Sequence, residues 1–178
     1  MSHRRRFWSI LCFSACLAGC GARPTAEQAE AIAAIERLGG KVKFADDRPA
    51  RPVVEIALGG TAVSDADLAR LACFPDLETL ALFDSGVGDA GVAHLKPLAN
   101  LRTLYLGRTK VTDAGLDALA GMTRLKTLGL SDTRVTDAGL LRLTHLQQLA
   151  SLNLRRTPTT EAGVRQLKES LPKLVVHR

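Results

Sequence analysis

Carboxylates recur through this chain at a fixed interval: Asp65, Asp89, Asp113 and Asp137 stand 24 residues apart, and Glu161 continues the series. Acids in such an array could serve as general acids and bases, or offer oxygen ligands to a hard cation. Their surroundings support neither. His94, His145 and His177 have no His, Cys or acid at metal-ligand spacing, and neither a glycine-rich phosphate loop nor a Gly-x-Ser-x-Gly elbow occurs. No nucleophile, base and orienting group can be brought together, so the residues predict no enzyme, no metal and no cofactor. The acids read instead as helix starts. Ser64, Thr112, Thr136 and Thr160 precede them as N-caps, with Gly88 tolerated, and each acid then faces the positive end of a helix dipole.

The elements that carry these acids follow the same interval. Val53, Leu77, Leu101, Leu125 and Leu149 mark a 24-residue period, and Leu174 closes it after 25. Self-similarity of this size signals stacked supersecondary units that bury their apolar faces only against one another. Each unit opens on Leu-x-x-Leu-x-Leu, clean in Leu101 to Leu106, where Leu104 and Leu106 alternate with outward residues as in a strand with one buried face. The segment from Asp113 through Leu119 to Met122 has helical spacing and supplies the crossover to the next parallel strand. Glycines at 91, 115, 139 and 163 follow the acids by two residues, where a side chain would block close packing between coils.

These features resemble the leucine-rich repeat family, in particular the 24-residue bacterial repeats with helical crossovers of ribonuclease-inhibitor-like type. The resemblance implies an α/β fold over residues 53–178: a right-handed solenoid of five coils and a terminal strand, with a parallel sheet on the concave face and short helices on the convex face. An asparagine typical of the family after the strand is replaced by Thr61, Ser85, Thr109, Thr133 and Thr157, whose hydroxyls can bond the turn backbone instead. Residues 25–52 read as an N-terminal cap. Thr25-Ala26-Glu27-Gln28 is a capping box, Ile32, Ile35 and Leu38 form one stripe, Gly39-Gly40 stops the helix, and Val42 to Phe44 alternates as a short strand before a loop.

Residues 1–19 have the layout of a secretory signal: Arg4, Arg5 and Arg6, an apolar stretch from Phe7 to Ala18, then small residues. That stretch is shorter than the roughly 20 residues a membrane-spanning helix needs. Leu17-Ala18-Gly19-Cys20 resembles the lipobox of bacterial lipoproteins. The resemblance implies cleavage after Gly19, a thioether from Cys20 to diacylglycerol, and a tether over residues 20–24. It also implies a place in the cell envelope, on the outer membrane where two membranes exist. Arg4 to Phe7 weakly resembles a twin-arginine signal, and the route of export stays open. Losing residues 1–19 removes three arginines and no acid, leaving 21 basic against 18 acidic side chains. That modest surplus argues against a nucleic-acid partner. Cys12 and Cys16 leave with the signal, so Cys73 is the one thiol not assigned to the leader or to lipid and no internal disulfide is expected.

The resemblance to leucine-rich repeats implies that ligands meet the outward strand residues. Most are small and neutral, and Asp84, Arg108, Asp132 and Arg156 alternate in sign as surface ion pairs. Phe83 and Tyr105 stand out as exposed aromatics, with Arg102, Lys126, Asn153 and Arg155 as further contact residues. The expected function is a non-catalytic protein-interaction module held at the envelope through its lipid anchor. Two alternatives remain: binding of a glycan or cell-wall polymer, and a structural component that self-associates through the edge strand Leu174 to His177.

Overall fold

The computed structural model describes residues 24–46 and 51–178. The signal segment, Cys20 with its expected lipid, and all of the tether but Pro24 lie outside these residues. Helix α1 spans Ala26–Arg37, and strand β1, Lys41–Phe44, leads to β2, Val53–Ala57. Helices then alternate with strands: α2 (Asp65–Leu68), β3 (Thr79–Ala81), α3 (Asp89–Ala93), β4 (Thr103–Tyr105) and α4 (Asp113–Leu116). They continue as β5 (Thr127–Gly129), α5 (Asp137–Leu141), β6 (Ser151–Asn153), α6 (Glu161–Ser170) and β7 (Val175–His177).

All seven strands form one sheet in sequence order. From β2 onward every pairing is parallel, and register partners such as Leu80, Leu104, Leu128 and Leu152 fall one sequence period apart. The leucine period is therefore the strand register. These leucines and the second set, Leu82, Leu106, Leu130 and Leu154, are buried in one continuous core. At about 25 cal/mol per Å² of apolar area, stacked leucines of this kind are the main driving force for the fold.

The N-terminal segment covers the first coil. Thr25 accepts the Gln28 N–H while the Gln28 side chain accepts the Thr25 N–H, so the expected capping box forms. The Gln28 amide also donates to the Cys73 carbonyl at 2.9 Å, tying α1 to the first coil. Ala31 and Ile35 face the core, with Ile32 and Leu38 half-buried beside them. Strand β1 runs antiparallel to β2 and ends the sheet with the exposed Lys41 and Lys43, a charged edge that discourages further pairing.

The crossovers are shorter than helical spacing suggests. Helix α4 makes one turn and gives way to a 3-10 segment over Asp117–Leu119. The 3-10 form advances about 2.0 Å per residue against 1.5 Å for the α form, so it spans the coil with fewer residues. Among the crossovers only α6 is long, with ten residues. Val164 and Leu167 on α6, with Leu171 and Leu174 after it, are buried against the last coil, and β7 stands at the edge of the sheet opposite β1, as the edge strand expected at Leu174 to His177.

Hydroxyls and carboxylates join coil to coil. Thr61, Ser85, Thr109, Thr133 and Thr157 each donate to the carbonyl three residues back, at 2.6–2.7 Å, as the turn reading expects. The turn also holds one residue per coil at positive φ: Gly60 and then Asp84, Arg108, Asp132 and Arg156, at 55–59° for the last four. Their alternating charges form two discrete pairs, Arg108 with Asp84 at 4.0 Å and Arg156 with Asp132 at 2.9 Å.

The periodic acids do more than face their own helix dipole. Asp113 on α4 accepts the Thr136 backbone N–H at 2.7 Å and the Thr136 hydroxyl proton at 2.6 Å, both from the following coil. Asp89 grips Thr112 and Asp137 grips Thr160 in the same way, and Asp65 accepts the Gly88 N–H. Each threonine in turn accepts a backbone N–H from the start of its own helix. The result is a ladder running along the helix starts from α2 to α6. The terminal coils depart from the repeat where the ladder ends. Asp67 stands in place of glycine in the first coil, which follows no ladder acid, and bonds Ser64. Glu161 lies 3.9 Å from Arg178.

The Thr160 hydroxyl and backbone N–H hold the Asp137 carboxyl below the ordinary carboxylate range, and Ser64 does the same for Asp67. The native state thus favours the ionised form. Its contribution is complete above the unfolded value of about 3.9 and disappears as pH falls through the lower native value. The expected result is a denaturant midpoint that drops as pH is lowered below about 4, with a shallower drop in Thr160→Val. Equal slopes in the two proteins would remove Asp137 from the account.

Candidate functional site

Strand alternation leaves three rows of side chains on the open face of the sheet. The middle row, in register across the strands, is Ala57, Ala81, Tyr105, Gly129, Asn153 and His177. Beside it runs a row of hydroxyls that includes Thr127 and Ser151, which are direct register partners. On the other side, toward the strand C-termini, lie Gly59, Phe83, Gly107, Ser131 and Arg155. Adjacent strands are about 4.8 Å apart, so each row is a ladder at that spacing.

Two glycines shape this face. A Cβ built on Gly59 would meet the Phe83 ring, with its Cδ1 at 2.7 Å, so Phe83 lies over the first coil. A Cβ on Gly129 would stand 3.0 Å from Tyr105 Cδ1, so Tyr105 leans across the fourth strand of the parallel series. Glycine inside a strand costs entropy and packs nothing, and commonly marks a place where something approaches the backbone closely. Phe83 and Tyr105 remain 47% and 42% exposed, large values for aromatic side chains on a surface whose other outward residues, apart from Val175 at the last strand, are mostly small or polar.

Between Tyr105 and His177 the face sinks into an open hollow of about 410 Å³, which Phe83 and Arg108 also border. Of the residues expected from sequence to bind, Phe83, Tyr105 and Asn153 line it; Arg102, Lys126 and Arg155 do not. Arg102 precedes β4, about 10 Å along the strand from Tyr105 at 3.3 Å per residue, and pairs with Glu78 at 3.4 Å. Lys126 takes the equivalent place before β5. Arg155 is exposed in the outer row, and its backbone N–H donates to Asn153 Oδ1 at 3.1 Å. Sequence reasoning passed over Arg108, treated as one half of an ion pair, and His177, treated as a surface histidine. Counting whole periods from Tyr105 would have found His177; the left-handed turn that carries Arg108 left no sequence mark.

Other reactive groups are quiet. Cys73 is half-buried, its thiol donates to the Arg70 carbonyl, and burial followed by the nearby Glu27 pushes its pKa up. Among the described residues no group of three or more His, Cys, Asp or Glu could hold a metal ion.

Residues 98–120, one coil that includes Tyr105 and Asp113, match the family model described as Leucine Rich repeat. A leucine-rich repeat protein of Leptospira interrogans superposes with a TM-score of 0.52 at 20% identity, over 62% of this chain and 27% of that one. Internalin C2 of Listeria monocytogenes gives 0.54 at 24% identity, over 75% and 56%. The fold is a leucine-rich repeat solenoid. The leucine-rich repeat ectodomain of a receptor kinase from Arabidopsis thaliana adds a third likeness, with a TM-score of 0.57 at 12% identity over 88% of this chain and 92% of that one. The chain thus spans 27% and 56% of the length of the two bacterial proteins. No curated protein gives a significant match. At these identities the likeness extends to the fold and not to Tyr105, Gly129 or the hollow.

Proposed function

We propose that this chain is a non-catalytic protein-interaction module, tethered to the cell envelope by lipid on Cys20, that docks its partner on the open face of the sheet. The observation that carries the reading is the exposure of Phe83 and Tyr105 on a surface where nearly every other outward residue is small or polar. Exposed aromatics grouped on a rigid scaffold are the usual anchors of protein interfaces, and losing one commonly costs about 2 kcal/mol or more of binding. The leucine-rich repeat fold supports the reading, since a solenoid offers an extended surface whose outer residues can vary without disturbing the core. The tether rests on the lipobox-like Leu17 to Cys20 and implies a position close to the membrane.

Crosslinked pull-downs from bacterial cells expressing wild type, Phe83→Ala and Tyr105→Ala test the docking face. Recovery of the partner is expected to fall at least tenfold in Tyr105→Ala, and unchanged recovery in both variants would refute docking there. Intact mass and membrane partition of Cys20→Ser test the tether separately. Loss of acyl mass and of membrane association is the expected outcome; a wild-type protein that is itself soluble and unacylated would remove the anchor and leave the docking face standing.

A further inference from the structure

The hollow beside Tyr105 differs chemically from a protein-docking patch. Apart from the helix-start threonines of the ladder, two sets of serines and threonines matter at the sheet. Those in the turns, such as Thr109 and Thr133, are satisfied by backbone carbonyls. Thr127, Ser131 and Ser151 line the hollow, and while their backbones bond neighbouring strands, their side-chain hydroxyls are not taken up by any described residue. Asn153 is oriented: its Oδ1 is occupied by the Arg155 N–H, so the amide NH₂ is the group left to a ligand. Gly129 keeps the floor free of side chain beneath the tilted Tyr105 ring. The lining includes Arg108 and His177 but no carboxylate.

We infer that this hollow is a binding site for an acidic saccharide. Every lining hydroxyl both donates and accepts, and Thr127 and Ser151 sit one strand spacing apart, a pattern that suits a ligand bearing hydroxyls along its edge. The Tyr105 ring gives a sugar ring an apolar face to lie against. Arg108 supplies the positive complement to a carboxylate, its loose 4.0 Å pairing with Asp84 leaving other guanidinium N–H groups for a ligand, and His177 adds a ring nitrogen that can hydrogen-bond it. A peptide side chain would be served better by a deeper desolvated pocket of the kind that holds interface anchors. At about 410 Å³ the space falls in the lower part of the range of roughly 300–1,000 Å³ usual for small-ligand sites, enough for a short oligosaccharide segment. The inference goes beyond the docking proposal and does not depend on it, although both use Tyr105, so that a saccharide in the hollow and a protein anchored on that ring would compete.

Calorimetric titration of the full chain in detergent with tetragalacturonate, cellotetraose and a hexaglutamate peptide tests the assignment without any protein partner. Tetragalacturonate is expected to bind more tightly than cellotetraose and to weaken as salt is raised. Tyr105→Ala and Asn153→Ala are each expected to lower its affinity about tenfold, the order of one lost anchor or one lost hydrogen bond to a charged ligand. Ser151→Ala, which removes a single exposed hydroxyl, provides a variant with no packing role, and its affinity is expected to fall as well. Failure of tetragalacturonate to bind, or binding that none of the three substitutions alters, would overturn the inference. Tighter binding of hexaglutamate would also overturn it and make the hollow an acidic-peptide pocket. Neither result bears on the pull-down, so the two proposals fail separately.

Discussion

Gly139→Ala is expected to lower the stability of the domain by about 2–4 kcal/mol, although alanine is the better helix former by about 1 kcal/mol. The reason lies in the coil before it. A Cβ on Gly139 would stand inside contact distance of the Asp113 carboxylate, 3.0 Å from its Cγ and 3.1 Å from Leu116 Cδ1. A free carboxylate would swing aside at little cost. This one is fixed, because its two oxygens hold the backbone N–H and the hydroxyl of Thr136 at 2.7 and 2.6 Å. Relieving the clash therefore breaks hydrogen bonds to a charged group, each worth about 1.5–3 kcal/mol, or pushes the two coils apart. Gly121→Ala is the control. Nothing lies within 4 Å of a Cβ at Gly121, and its substitution should change stability by less than about 0.5 kcal/mol. Denaturant midpoints of the two variants decide the matter, and a Gly139→Ala protein as stable as wild type would show that the glycine is not held by the carboxylate.

The same carboxylates mark the limit of what the sequence made legible. The leucine period led directly to strand register, core and crossovers, because in a solenoid the sequence interval and the stacking interval are one quantity. The hydroxyl turns and the capping box were legible for a related reason, since donor and acceptor lie three residues apart. Asp113 was read as a first-turn acid, and it is one. Its stronger role was hidden because its partner stands 23 residues away, and a helix-start account already explained an acid at that place. A signal was present: an aspartate recurs with a glycine two residues on, and that pairing fails at Asp67 and Glu161, in the coils where the ladder ends, while Gly88 replaces the hydroxyl residue within it. The hollow was harder to foresee. It depends on Gly129, a residue that contributes by lacking a side chain, and on rows that cross the strands. Arg102 and Tyr105 are near in sequence, but Arg102 stands before β4 and Tyr105 at its far end, whereas Tyr105 and His177 are far apart in sequence yet share a row.

A thermodynamic cycle separates the ladder from its alternatives. Asp113→Ala leaves the Thr136 N–H and hydroxyl without their acceptor, and a loss of about 2–4 kcal/mol is expected, with water recovering part of the two charged hydrogen bonds. Asp113→Asn should cost less, because the amide oxygen can still accept the N–H while its NH₂ donates to the threonine oxygen. The decisive protein carries both Asp113→Ala and Gly139→Ala. With the carboxylate gone, the two nearest clashes of the added methyl disappear, Leu116 Cδ1 at 3.1 Å is a flexible side-chain end, and alanine brings its helix propensity, so the cost should fall below about 1 kcal/mol. That is a coupling of at least about 1.5 kcal/mol, well above the few tenths by which independent sites depart from additivity. If the two losses simply add, the glycine answers to some other constraint. The repeated Thr-Asp pair would then be a set of separate helix caps, and the coil-to-coil role assigned to the acids would have to be withdrawn.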